Sequence, residues 1–428
     1  MQDNYSLIQL PILRLVTFGD PMVVIFFLVS GYSLSIKPLS LIRSGPCAHA
    51  QLLTSLSSSF IRRPIRLLLP IFASTLIVLL AAQIGLYSYA ASFASKPTKF
   101  HQYFKGWAFE ATPVIAPTIY LQIVDWCYSM YDLLDFVTHF HWTMTRYDIH
   151  LWTIPVELRC SLILFATYIA TALMNSTTRL VSLAIFVAAA MTWGDAWEMG
   201  LFWIGMGLCE LDMMIPAAAH KGGIPKRWIA NFTVGLYLMS TPMMFAKHSP
   251  FFSDLMRIHI WGLRESDQAR FWQCIGATQV LITVSRCQTF KSFFSNRLAR
   301  YLGRISYALY LVHGPILRSL GYSLAFKLWQ ITGRATQAQY STAVVLTAIV
   351  VLPAVILAAD IFCKKIDEPI TRLSRRIESR LRDADLPPEI HITSESRKSD
   401  EFKPFRSPTR SPDRLRGLES GLRRGSAF

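Results

Sequence analysis

The sequence predicts an all-α fold, a polytopic bundle of transmembrane helices with about nine spans. Three observations carry that expectation. Of 428 residues, 52% are hydrophobic and only 16% charged, whereas a soluble domain carries about a quarter charged residues. Mean hydropathy is positive, at +0.34. The apolar residues gather into stretches long enough to cross a bilayer, with none of the alternating ten-residue segments of a membrane barrel. The net charge of +16 does not point to nucleic acid, because Lys and Arg sit in short loops beside the apolar stretches and in the tail.

The expected spans run Thr17–Ile36, Pro64–Leu86, Leu151–Leu173, Arg179–Trp193, Met199–Ile215, Trp228–Phe245, Phe271–Ser285, Ile305–Phe326 and Thr342–Phe362. Each is too long and too uniformly apolar for a strand. The loops set the orientation. Lys37, Arg43, Arg62, Arg63 and Arg66 stand between the first two spans without an acid. Arg286, Lys291, Arg297, Arg300 and Arg304 do the same between the seventh and eighth. Lys221, Lys226, Arg227 and Arg179 fall on that side too. Glu110, Asp125, Asp132, Asp135, Asp148, Asp195 and Glu198 fall on the other. The basic side is expected to be cytoplasmic.

The chain then divides into a short non-cytoplasmic N-terminal segment (1–16), a membrane domain (17–365) with a long external loop near 87–150, and a basic, disordered cytoplasmic tail (366–428). Met1–Val16 shows no basic leader running into an apolar core and a small-residue cleavage site. Arg372, Arg375, Arg376, Arg380 and Arg382 suit either a basic helix on anionic lipid or a solvated charged one.

Ionisable residues at membrane depth are costly and mark working sites or structural pairs. Glu157 stands inside LWTIPVELRC, roughly 10 Å below the outer surface at 1.5 Å per residue. It suits either an ion pair with a neighbouring helix or an acid–base role. Arg159, two residues on, points elsewhere on the helix. His313, in SYALYLVHGP, suits a hydrogen bond across helices or a general base oriented by a partner such as Glu157. His150 stands just before the third span, as an interfacial polar residue or a site residue. Arg62, Arg63 and Arg66, in RRPIRLLLP, fit a topology anchor or a phosphate site, since planar guanidinium groups bind phosphate in a multidentate way. Pro64 is expected at a helix start. His139 and His141 have no metal-spaced companions, and seven scattered cysteines form no Cys-x-x-Cys pair, so no metal site is expected. No nucleophile elbow, P-loop or dinucleotide fingerprint occurs.

Together the motifs resemble the acyltransferase 3 family of integral membrane acyltransferases in its fungal form. The matching pieces are FFLVSGYSLSIKPL (Phe26–Leu39), FIRRPIRLLLP (Phe60–Pro70), HLWTIPVEL (His150–Leu158), WIGMGLCELD (Trp203–Asp212) and YLGRISYALYLVHGP (Tyr301–Pro315), in the family's order. The resemblance implies a ten-helix membrane domain that passes acyl groups, often acetyl, from acyl-CoA to hydroxyls of sugars, lipids or secondary metabolites. It implies CoA-phosphate contacts at Arg63 and Arg66, with Arg62 beside them. It places Glu157, His150 and His313 in the family's motifs. The family's first helix, with its Arg and His, should precede Gly19, and Met1–Phe18 contains no His. That leaves His313 as the expected base and Glu157 as its orienting partner. The expected partners are acyl-CoA as a donor substrate, a hydroxyl-bearing acceptor and the lipid bilayer. A transporter or a catalytically inactive membrane binding protein is the alternative.

Overall fold

The computed structural model describes residues 9–381 apart from 95, 105–111, 114, 136–144, 193–195, 216–224, 244–245, 247–248, 250, 259, 261–262 and 264–266. Glu110, His139, His141, Asp195, Lys221 and the tail from Arg382 therefore lie outside the described residues. Among the described residues the secondary structure is helical, without strands.

The helices are α1 (Asp20–Arg43), α2 (His49–Gln83), α3 (Ser88–Ala94), α4 (Pro97–Tyr103), α5 (Ile119–Leu134), α6 (Thr153–Thr171), α7 (Ser176–Thr192) and α8 (Trp197–Met214). They continue as α9 (Lys226–Met239), α10 (Ser253–Arg257), α11 (Gln268–Arg286), α12 (Gln288–Phe294), α13 (Arg297–Ile316), α14 (Tyr322–Thr332), α15 (Gln337–Phe362) and α16 (Glu368–Leu381). A helix stands at each expected span. Asp20–Arg43, Pro46–Gln83, Ile149–Thr171 and Gln337–Leu381 are long and apolar enough to cross a membrane by length and composition.

Glycines set the closest helix crossings. In lipid there is little hydrophobic force between helices, so small residues that let backbones touch take over. A Cβ on Gly205 of α8 would lie 2.5 Å from the Leu28 carbonyl of α1, and one on Gly31 would strike the Phe202 backbone. Gly276 of α11 meets the Gly235 carbonyl of α9 in the same way, at 2.5 Å. Val24, Phe27, Leu28, Phe202 and Met206, all fully buried, fill the α1–α8 side of the core. A second cluster, with Ile71, Leu151, Ile154, Ile305, Ala308 and Leu311, joins α2, α6 and α13.

Two expectations shift. Pro64 lies inside α2, which begins at His49. The uniformly apolar run begins near Pro64, whereas the helix starts earlier, in a more polar stretch, His49–Arg63. At 35 residues α2 is about 52 Å long, well beyond a hydrocarbon core of about 30 Å. The segment expected to be tail from 366 begins as helix α16, which packs on α2 and pins Arg62 through Glu378 at 3.1 Å. Its burial of Ser374 and Glu378, with Arg372, Arg375, Arg376 and Arg380 exposed, explains how so polar a segment stays helical.

Candidate active site

Helix α6 carries a polar stripe at four-residue spacing: Thr153, Glu157 and Ser161. That spacing puts the three on one face. Glu157 pairs with Arg63 of α2 at 2.6 Å, and Arg63 also donates to the Ser161 hydroxyl at 2.7 Å. Ser30 of α1 reaches the same carboxylate. Glu157 is therefore held by Arg63, and the structure does not place it as the partner of His313. The expected anchor arginines separate. Arg63 turns inward, Arg62 is taken by Glu378, and Arg66, one turn on, is exposed. Arg159 points away as expected. It lines a separate cavity of about 230 Å³ with Cys160, Glu198, Met199 and Trp203.

The histidines meet about two turns along α6 from Glu157, towards the less basic side. His150 lies in the short helical turn Ile149–Trp152 that leads into α6, and its ring stands 4.7 Å from that of His313 on α13, centroid to centroid. Asp148 caps that turn through the His150 amide and accepts from His150 Nδ1 at 2.9 Å. Arg318, fully buried, holds the same carboxylate oxygen at 3.1 Å and donates to the Tyr147 carbonyl at 3.0 Å. His313 Nδ1 faces the Tyr310 carbonyl at 2.6 Å. A carboxylate and a carbonyl only accept, so both imidazoles carry their proton on Nδ1 and present Nε2 as the basic nitrogen. Burial pushes the Asp148 carboxyl upward. The His150 hydrogen bond and the Arg318 charge outweigh it, and the group lies below the usual carboxylate range.

The α13 backbone is shaped to admit this cluster. Pro315 has no N–H, so the Leu311 carbonyl four residues back loses its helical donor. Ser74 of α2 supplies one at 3.0 Å. Beyond Pro315 the helix widens into a π-helical turn, Leu317–Gly321, which carries Arg318. Such bulges often mark functional positions. The Pro315 carbonyl accepts from Ser319 and Tyr87. Gly314 leaves the space into which Asp148 and His150 fit. A Cβ there would sit 2.9–3.0 Å from both carboxylate oxygens and 3.0 Å from His150 Nδ1. Tyr310 links the two regions, bonded to Thr153 at 2.6 Å and to the His150 carbonyl.

The sequence singled out His150, His313, Glu157 and Arg63; the structure brings Asp148 and Arg318, not singled out as site residues, against the two histidines. Both left a signal. Asp148 stands two residues before a singled-out histidine, and Arg318 interrupts an apolar run five residues after another. Among the described residues no group of three or more His, Cys, Asp or Glu side chains suits a metal ion.

Several helices are long and apolar enough to cross a membrane, and the fold brings two histidines and a buried carboxylate together. The acyltransferase domain of the acyltransferase 3 family matches residues 2–362. The chain is 29% identical to the O-acetyltransferase PaAT-1 of Phomopsis amygdali, over 88% of this chain and 78% of that one. It is 26% identical to the acyltransferase R4 of a Phoma species, over 88% and 84%. It is also 26% identical to the acyltransferase clz18 of Cochliobolus lunatus, over 86% and 83%. No solved structure matches. The chain belongs to the acyltransferase 3 family and is an integral membrane acyltransferase.

Proposed function

We propose that the protein transfers an acyl group, acetyl by preference, from acyl-CoA to a hydroxyl of a sugar, lipid or secondary metabolite. The observation that carries this reading is the pair of facing histidines whose Nδ1 atoms are both occupied by acceptors, in a chain of acyltransferase ancestry. Histidine Nε2 takes the proton of the acceptor hydroxyl as its oxygen attacks the thioester carbonyl. The tetrahedral intermediate collapses, the carbon–sulfur bond breaks, and the imidazolium returns its proton to the departing thiolate. The products are the ester and free CoA. The O-acetyltransferase name of the Phomopsis relative supports both the oxygen acceptor and the acetyl donor.

The donor approaches from the basic, cytoplasmic side, where the C-terminus also lies. Arg66 is exposed there, with Arg62 and Arg63 one turn away on α2. Arg66 is the first of the three to meet the CoA phosphates. Arg62 and Arg63 add to that field while bonded to Glu378 and Glu157.

Purified protein supplied with acetyl-CoA tests the reading through release of free thiol. His313→Ala and His150→Ala each lower the rate on the order of 10²-fold or more. Thiol release at the wild-type rate in both variants rejects the site. Absence of any acyl-CoA binding turns the reading towards a transporter or an inactive binding protein.

A further inference from the structure

We infer that Asp148, anchored by Arg318 and admitted by Gly314, is a positioning residue that orients His150 and fixes the nitrogen on which it holds its proton. The inference rests on the acyl-transfer reading for its link to turnover, but its geometry stands apart from that reading. Asp148 is 1% exposed, and one oxygen, Oδ1, serves both His150 Nδ1 and Arg318. Its other oxygen, Oδ2, is buried and has no hydrogen-bond partner among the described residues. A carboxylate kept ionised in the interior with one oxygen unsatisfied is costly.

The surroundings point the same way. Gly314 lies on α13 within 3.0 Å, counted from a virtual Cβ, of all three polar atoms. It sits beside His313 in sequence, so the same turn that presents one imidazole makes room for the carboxylate behind the other. Arg318 cannot swing away, because Nε is bonded to the Gly314 carbonyl at 3.2 Å and a terminal nitrogen to the Tyr147 carbonyl. The guanidinium is thus fixed by backbone from two elements, and it fixes the carboxylate in turn. A carboxylate behind an imidazole sets its tautomer and stabilises the imidazolium that forms as the proton is taken. The charged and titratable groups facing His150 are Asp148 from its own turn, His313, Arg318 and Tyr310 from α13 and the turn after it, and Tyr87 behind them.

The test uses the intact protein in detergent. Diethyl pyrocarbonate labelling, read by mass spectrometry across a pH series, reports the unprotonated fraction of His150 and of His313 separately. Asp148→Asn removes the charge that stabilises the imidazolium, so the His150 midpoint falls by about one pH unit and the His313 midpoint moves less. Thiol release from acetyl-CoA falls on the order of 10²-fold in the same variant, with the KM for acetyl-CoA unchanged. Gly314→Ala, which crowds the carboxylate without removing it, lowers thiol release in the same direction, and Asp148→Glu restores part of the His150 midpoint. An unmoved His150 midpoint in Asp148→Asn overturns the inference, as does a His313 midpoint that moves further than that of His150. A shifted midpoint with undiminished thiol release leaves the positioning in place and rejects the histidine centre as the catalytic base. If Asp148→Asn does not fold, Gly314→Ala decides: a wild-type His150 midpoint and rate there overturn the inference.

Discussion

Two buried guanidinium–carboxylate clusters lie towards opposite ends of this bundle, and they differ in what they do with the same chemistry. At the basic end Arg179 of α7, 2% exposed, pairs with the fully buried Glu210 of α8 at 2.9 Å. Its remaining donors go to the carbonyls of Thr171 and Met174, at 3.3 and 2.7 Å. Thr171 ends α6, and Met174 lies in the turn that follows it. Arg43 reaches the same Glu210 from α1 at 3.3 Å. The contacts end in backbone, the Ser176 hydroxyl or another fixed charge, so the cluster ties four helix ends together. At the other end Arg318 and Asp148 are equally buried, yet the carboxylate passes its hydrogen bond to an imidazole that stands against a second one. Burial of a charged pair therefore does not mark a working site. The mark is a chain of contacts that ends in a group able to gain and lose a proton.

The comparison can be broken most directly at its structural end. Arg179→Ala leaves Glu210 buried beside a more distant Arg43 and should cost about 3–5 kcal/mol of stability, the usual penalty for breaking a buried pair. Thermal unfolding in detergent measures it. A change below about 1 kcal/mol would mean that the anchor carries little of the fold. Loss of Glu157 sharpens the middle ground. Glu157→Gln frees Arg63 from its carboxylate, and thiol release should fall several-fold while the two histidine midpoints stay in place. A large movement of those midpoints would show that the Arg63–Glu157 pair and the histidine centre act as one unit.

A smaller effect is expected at the donor face. Arg66→Ala should raise the KM for acetyl-CoA about tenfold, the loss of one charge-assisted phosphate contact, with kcat little altered. Glu378→Gln should change that KM by less, because Arg62 keeps its place through the Ser58 carbonyl at 3.3 Å. The smallest effect concerns pH. The Asp148 carboxyl is lower in the folded protein than in the unfolded chain, so its contribution to stability is complete above the unfolded value of about 4. That contribution is lost as pH falls through the lower folded value. Asp148→Asn should lower the unfolding midpoint at neutral pH and flatten its fall on the acid side.

The helical class was legible in the sequence, because lipid imposes a length and an apolar character on each crossing segment, and a helix stands at each expected apolar stretch. The family was legible through motifs that stand in a fixed order. What spacing could not supply was the partner of each polar group. Glu157 was expected beside His313, yet it answers Arg63, whose sequence position is nearly a hundred residues away. Asp148 and Arg318 acquired a role only when α13 met the turn before α6. Pro64 was expected to start a helix, because an apolar run shows where lipid begins and says nothing of the polar helical turns before it.

The sequence by itself determined that this chain is an α-helical membrane acyltransferase, since hydropathy, loop charge and ordered motifs are all local properties of the chain. Only the tertiary structure decided which buried charges meet. Ion pairs and imidazole contacts act over about 3 Å, and which side chains come that close depends on how helices cross. Here the crossings are set by Gly31, Gly205, Gly235 and Gly276, and the approach of Asp148 and His150 to α13 is set by the missing side chain of Gly314.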